Sequence, residues 1–174
     1  MSNEVILVNE QDEAIGTMEK MEAHRQGLLH RAFSIFIFNK KGEMLLQQRA
    51  SGKYHSPNLW TNACCSHPMP GESLFDAAHR RLKEEMGFDT FLSHAFTFTY
   101  RTDFDNGLTE HEIDHVFTGY YDGDIQPDNN EVKDFCFMKM EAISESLTQH
   151  SHKYTSWFSI AFPKLEMHLS VPVS

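Results

Sequence analysis

A chain of 174 residues with 40% apolar and 12% aromatic content is long enough for one cored domain, expected over residues 1–174, and too apolar for disorder. The net charge of -10 argues against a nucleic-acid binder, whose affinity comes from neutralising phosphates, but leaves room for a small anion on a local basic cluster. No apolar run reaches the roughly 18 residues a membrane span needs, the start MSNEV lacks signal-peptide regions, and three cysteines read as reduced thiols in a cytoplasmic protein.

Glu4 to Val8 reads as a short strand and Asn9 to Gly16 as a polar turn. Thr17 can cap a short helix over 18–23. His24 and His30 follow, separated by Gly27, and meet at one point if the loop folds back. Arg31 to Asn39 alternates as a strand, with Phe33, Ile35 and Ile37 on one face and Phe36 and Phe38 on the other. Lys40-Lys41-Gly42 predicts a hairpin turn into a strand over 43–49. A loop over 50–59 leads into WTNACCSHPMPGE, where prolines and Gly71 keep 65–71 non-helical. If 60–68 is extended, Cys65 and His67 share a side and Cys64 points away as a small buried residue. Glu72 or Ser73 opens a helix whose apolar stripe is Leu74, Ala77, Ala78, Leu82 and Met86. Strands over 94–101, 109–121 and 132–138 follow, the first two joined by a turn holding Asp105-Asn106-Gly107. Helices over 141–149 and 156–169 end the chain.

Four groups of residues invite a chemical reading. Glu84 and Glu85 close a helix, where carboxylates oppose the macrodipole; surface pairs with Arg80 and Arg81 are the plain explanation, a bound cation the other. Glu110 and Glu112 lie two apart on a strand, hence on one face, near Tyr100 and Arg101 across the hairpin. His24, His30 and His67 with those two glutamates would suit Mn, Fe or Zn, with Mg possible, if they converge. Lys20, Arg49, Lys53, Arg81 and Arg101 could together hold a phosphate group.

The helix resembles the Nudix box, G-x5-E-x7-R-E-U-x-E-E-x-G-U. Glu72, Arg80, Leu82, Glu84, Glu85 and Gly87 match; Ser66 replaces the first Gly, Arg81 the second acid and Phe88 the last aliphatic. Together with EKMEAH and His30, WTNACCSHP, YRTDFDNGLTEHE and a late Trp, the chain resembles type I isopentenyl-diphosphate Δ-isomerases over residues 4 to 160. The resemblance implies an α/β (α+β) fold, a Nudix-like mixed sheet sandwiched between helices. It also implies a metal (Mn or Mg, or Zn) on His24, His30, His67, Glu110 and Glu112, and an acid/base pair of Cys65 and Glu112 assisted by Tyr100. Glu85 would help bind a second cation, Mg; Lys20, Arg49, Lys53 and Arg81 would hold the diphosphate; Trp157 would face the hydrocarbon. The partner would be a small diphosphate, with no nucleic acid or membrane, and the chain a monomer or weak homodimer. Alternatives are a Nudix hydrolase of a small diphosphate, which Arg81 disfavours, and a structural zinc module on Cys64, Cys65, His67 and His24.

Overall fold

The computed structural model describes residues 3–170, so residues 1–2 and 171–174 of the expected domain lie outside the described residues. Its elements are β1 (Glu4–Val8), β2 (Ala14–Glu19), α1 (Lys20–Gln26), β3 (His30–Phe38), β4 (Met44–Arg49), β5 (Trp60–Thr61), β6 (Cys64–Ser66), α2 (Leu74–Met86), β7 (Leu92–Asp103), β8 (Thr109–Tyr120), β9 (Val132–Met138), α3 (Met140–Gln149) and α4 (Ser156–Ser170). Among the described residues no helix is long and apolar enough to cross a membrane.

β3 organises the sheet. Along one edge it pairs in parallel with β8 over its whole length. Along the other it meets β1 at His30, β6 at Phe33 to Ile35 and β4 at Phe38. β7 extends the sheet beyond β8, while β4 is flanked by β5 and β9, all antiparallel. The mixed sheet lies between helices, and the alternation of β3 explains how. Phe33, Ile35 and Ile37 pack with Ala77, Ala78, Leu82 and Met86 of α2, whereas Phe36 and Phe38 pack with Ile143 of α3 and Phe158 and Phe162 of α4. A parallel strand buried on both faces reads as an unbroken apolar run, as β3 does from Ile35 to Phe38.

α2 has the expected boundaries, set by a cap at each end. The Ser73 hydroxyl accepts the Asp76 N–H at 3.1 Å, and Gly87 ends the helix in the left-handed region at φ 74°. Gly87 also lies so close to the Gln126 carbonyl that a Cβ there would overlap its oxygen.

Two expectations need correction. Thr17 does not cap a helix: it pairs with Ile6 in the β1–β2 hairpin, and the helix starts at Lys20, with the Glu19 carboxylate accepting the Glu22 N–H at 2.9 Å. β-Branched Thr17 fits the pleated strand, and the cap role passes to the next side chain able to reach back. The turn over 39–42 forms, but β3 and β4 pair only at Phe38 and Met44 before they splay apart. β4 then takes β9 and β5 as neighbours, which opens room for β6 against β3.

Candidate active site

Three backbone features bring distant residues to one point. Gly27, at φ 65°, turns the chain after α1, so His24 in the last helical turn faces back toward His30 at the start of β3. The parallel register of β3 and β8 sets His30 opposite Glu112. β6 then delivers His67 from its end. His24, His30, His67 and Glu112 each offer a ligand atom within 4.8 Å of all the others. Glu110 stands beside this group, its Oε2 3.8 Å from His24 Nε2.

The proton positions follow from the partners. The Leu28 carbonyl can only accept, so His30 Nδ1 donates to it at 2.9 Å and Nε2 faces Glu112. Glu112 Oε2 lies 2.7 Å from His67 Nε2 and 3.0 Å from His30 Nε2, and Oε1 accepts the Tyr100 hydroxyl at 2.5 Å. Burial opposes the charge of Glu112, but His67 and His30 overcome it and hold its carboxyl well below the usual range. Burial and the Glu112 charge push Glu110 well above it. Burial, with His67 and His30, pushes His24 down to about 4. His24 Nε2 and Glu110 Oε1 are buried with no hydrogen-bond partner among the described residues. Against its burial, Glu112 raises His30 in turn, whereas burial lowers His24 and His67. Three imidazoles beside closely spaced carboxylates left partly unsatisfied form a donor set that a divalent cation fits.

Cys65 and Cys64 point to opposite faces, as an extended 64–66 requires. Cys64 is fully buried beneath α2. Cys65 faces the other way and donates its S–H to Asn62 Oδ1 at 3.1 Å. The Asn62 amide is oriented for this, because its Nδ2 donates to the carbonyls of Ile35 (2.9 Å) and Cys64 (3.0 Å). Ser34 Oγ sits 3.3 Å from the sulfur and donates to Asp114 at 2.7 Å. Burial, then the nearby Asp114, pushes the thiol upward, so Cys65 is held as S–H. The two cysteines therefore face apart and neither joins the histidines, which removes the structural zinc module.

Apart from His24 and His30, which are fully buried, the site residues that the family resemblance implies all line one cleft. Lys20, Arg49, Lys53 and Arg81 are among them; Arg101 is not. Arg101 pairs with His111, one residue out of phase with the Tyr100–Glu112 pair, so period-2 alternation turns it to the exposed face. The cations already have partners. Arg81 binds Ser66 Oγ (3.0 Å), Glu84 (2.9 Å) and Glu85 (2.6 Å), Lys53 binds Glu131 (2.8 Å), and Arg81 lies 3.7 Å from the same Glu131 carboxylate. Arg49 holds the carbonyls of His55 and Ser56 at 3.2 Å each and stands over the Trp157 ring at 5.1 Å. Lys20 stands over Tyr54 at 4.8 Å. Glu85 is buried between Arg81 and the Gln47 amide (3.0 Å), so intrahelical ion pairs do form at the end of α2. Burial still pushes its carboxyl above the usual range.

Several residues in the site escaped the sequence reading. Asp114 continues the Glu110, Glu112 phase of β8 and was legible from period 2 alone. Ser34 is the cross-strand partner of Cys65, which only the pairing reveals. Glu131 enters from a polar loop with no signal. Tyr54 and His55 lie in the loop over 50–59, whose glycine and serine content masks how deeply it is buried. His55 is 5% exposed, stacked on Phe104 at 4.6 Å, and edge-on to Trp157 at 5.6 Å. Burial, with the Arg49 charge, pushes its imidazole down to about 3.

Residues 28–158 match the NUDIX domain family. Among curated proteins the chain is similar to the isopentenyl-diphosphate Delta-isomerase of Pectobacterium atrosepticum, 48% identical over 93% of this chain and 90% of that one. It is likewise 48% identical to the enzyme of that name from Serratia proteamaculans, over 91% and 88% of the two chains. Among solved structures, a Deinococcus radiodurans protein superposes with a TM-score of 0.78 at 16% identity, covering 92% of this chain and 98% of that one. A MutT protein from Methanosarcina mazei Go1 gives 0.68 at 21% identity, over 82% and 96%. At these identities the two structures establish the fold alone. The extent and identity of the curated matches go further, and the chain belongs to the isopentenyl-diphosphate Delta-isomerase family of NUDIX-domain proteins.

Proposed function

We infer that this chain interconverts isopentenyl diphosphate and dimethylallyl diphosphate. The observation that carries the reading is a cleft in which a half-buried protonated thiol and an ionised glutamate tied to a tyrosine stand beside a cluster of cations. The alkene is unactivated. A proton added to its terminal carbon leaves a tertiary carbocation, and loss of a proton two carbons away gives the isomer. Two proton-carrying groups must serve the substrate. Cys65 and Glu112 are those groups, and Tyr100 hydrogen-bonds to Glu112. The reaction is reversible, so each gives a proton in one direction and takes one in the other.

His24, His30, His67, Glu110 and Glu112 would hold a divalent ion, Mn or Zn by donor type. When bound, that ion supplies the positive charge that lets both glutamates stay ionised side by side. Glu85, with Mg, would serve the diphosphate side. Lys20, Arg49, Lys53 and Arg81 bind the diphosphate, and neither phosphate bond breaks, which suits Arg81 where a hydrolase would carry an acid. Binding energy gained there offsets the cost of desolvating the reacting carbons. Trp157 forms the aromatic wall; an aromatic face stabilises a desolvated cation by about 2 kcal/mol or more. The reading is completed by a monomer or weak homodimer in the cytoplasm, with no nucleic-acid or membrane partner. Proton NMR of isopentenyl diphosphate in D2O with the protein and Mn or Mg is the test. Metal-dependent conversion with deuterium uptake, stopped by EDTA, is expected. An unchanged alkene spectrum from folded, metal-loaded protein would refute it.

A further inference from the structure

We propose that His55 is a positioning residue for the metal-binding carboxylate of Glu110: its Nε2–H donates to Glu110 Oε1 and so directs Oε2 toward His24. The inference rests on the metal centre of the proposed function.

His55 Nε2 and Glu110 Oε1 are both buried and both without a hydrogen-bond partner among the described residues, and they face each other at 3.7 Å. A buried polar atom left unpaired forfeits its hydration with no return, so two adjacent orphans of opposite kind are each other's natural partner. Closing the gap takes about 0.7 Å, the difference from an ordinary N–H···O distance. Glu110 Oε2 already points the other way, 3.8 Å from His24 Nε2. One oxygen thus belongs to the imidazole of the loop and the other to the histidine cluster.

The ring is held in place for this task. Phe104 covers one face in parallel at 4.6 Å, Tyr54 meets it edge-on at 4.3 Å, and Trp157 closes a third side at 5.6 Å. The Arg49 guanidinium pins the His55 carbonyl at 3.2 Å. The Ser56 hydroxyl lies 3.3 Å from Nδ1 and can donate to it, which leaves the proton on Nε2. Hydrogen bonds of this outer kind orient metal-ligating carboxylates, and their loss weakens metal binding by about 10–100-fold.

The test is Mn2+ affinity without substrate, read from the EPR signal of free Mn2+. His55→Phe keeps the ring and its stacking but removes the donor, and a 10–100-fold loss of affinity is expected. His55→Gln, whose amide N–H reaches about as far as Nε2, should recover most of it. Circular dichroism checks the fold of both. Nitrogen-15 NMR of the wild-type imidazole reads the proton directly, independent of any variant, and should find Nε2 protonated. Wild-type affinity in folded His55→Phe, or a bare Nε2, would overturn the proposal. Tight wild-type Mn2+ binding without isomerisation would instead refute the catalytic reading and leave His55 standing.

Discussion

Replacing Arg81 with Met should destabilise the chain by an amount that depends on pH. In the wild type, Arg81 Nη2 donates to Glu85 Oε2 at 2.6 Å, and Glu85 is 6% exposed. Removing one partner of a buried ion pair costs about 3–5 kcal/mol. Arg81 is 19% exposed and Gln47 still donates to Glu85 Oε1, so the lower end, about 3 kcal/mol, applies at pH 7.5. The lost bond to Glu84 adds little, because that carboxylate is 40% exposed. Burial already holds Glu85 above the usual carboxylate range despite Arg81, so the folded chain keeps its proton to higher pH than the unfolded chain. Where the folded state binds more protons, stability falls as pH rises. The contribution of Glu85 is therefore most favourable below the unfolded carboxylate value and declines as pH climbs through the raised folded one. Arg81→Met moves that folded value further up. Urea unfolding in EDTA should show a smaller penalty at pH 5.5 than at pH 7.5, and Glu85→Gln in the Met background should restore most of the loss. An equal penalty at both pH values, or no recovery in the double variant, would refute the reasoning.

Cys65→Ser should retain fold and Mn2+ binding but lose about 10²–10⁴-fold in kcat, the usual worth of a proton-transfer group, as measured by the NMR conversion assay. Tyr100→Phe removes one charge-assisted hydrogen bond to Glu112, worth about 1.5–3 kcal/mol, and should lower kcat by about 10–150-fold with little change in KM. Gly87→Ala places a Cβ against the Gln126 carbonyl at positive φ; thermal unfolding should show a loss of more than about 1 kcal/mol, the cost of the left-handed backbone alone.

Much of this site is written in local patterns. The phase of Glu110 and Glu112 on one strand, the hairpin that sets Tyr100 opposite Glu112, and the opposed faces of Cys64 and Cys65 all follow from the period of two. The convergence of three histidines on Glu112 was not legible, since it depends on the turn at Gly27, on the pairing of β3 with β6 and on the parallel register of β3 with β8 across some 80 residues. The same is true of Asn62, whose amide is oriented by carbonyls of β3 and β6. Resemblance to a family supplied the grouping that spacing could not. Where both fell short, at His55 and Tyr54, burial comes from a loop closed over by the β7–β8 tip: Asn106 donates to the Tyr54 carbonyl at 3.1 Å and Phe104 covers His55. At Thr17, strand pairing overrode a plausible cap.

In the proposed diphosphate-binding role of the cleft, the carboxylate of Glu131, set between Lys53 and Arg81, changes what the cations select. An incoming anion does not meet bare charge; it must displace a resident one. A singly charged ion would trade one negative group for another and gain little. A diphosphate brings several charges on two linked groups, so the exchange favours it over monophosphate or chloride at equal concentration. Counter-ion release then contributes less than four cations suggest, and the affinity should depend on ionic strength more weakly than that of an open basic patch. In an acidic protein, this tethered competitor acts as a valence filter.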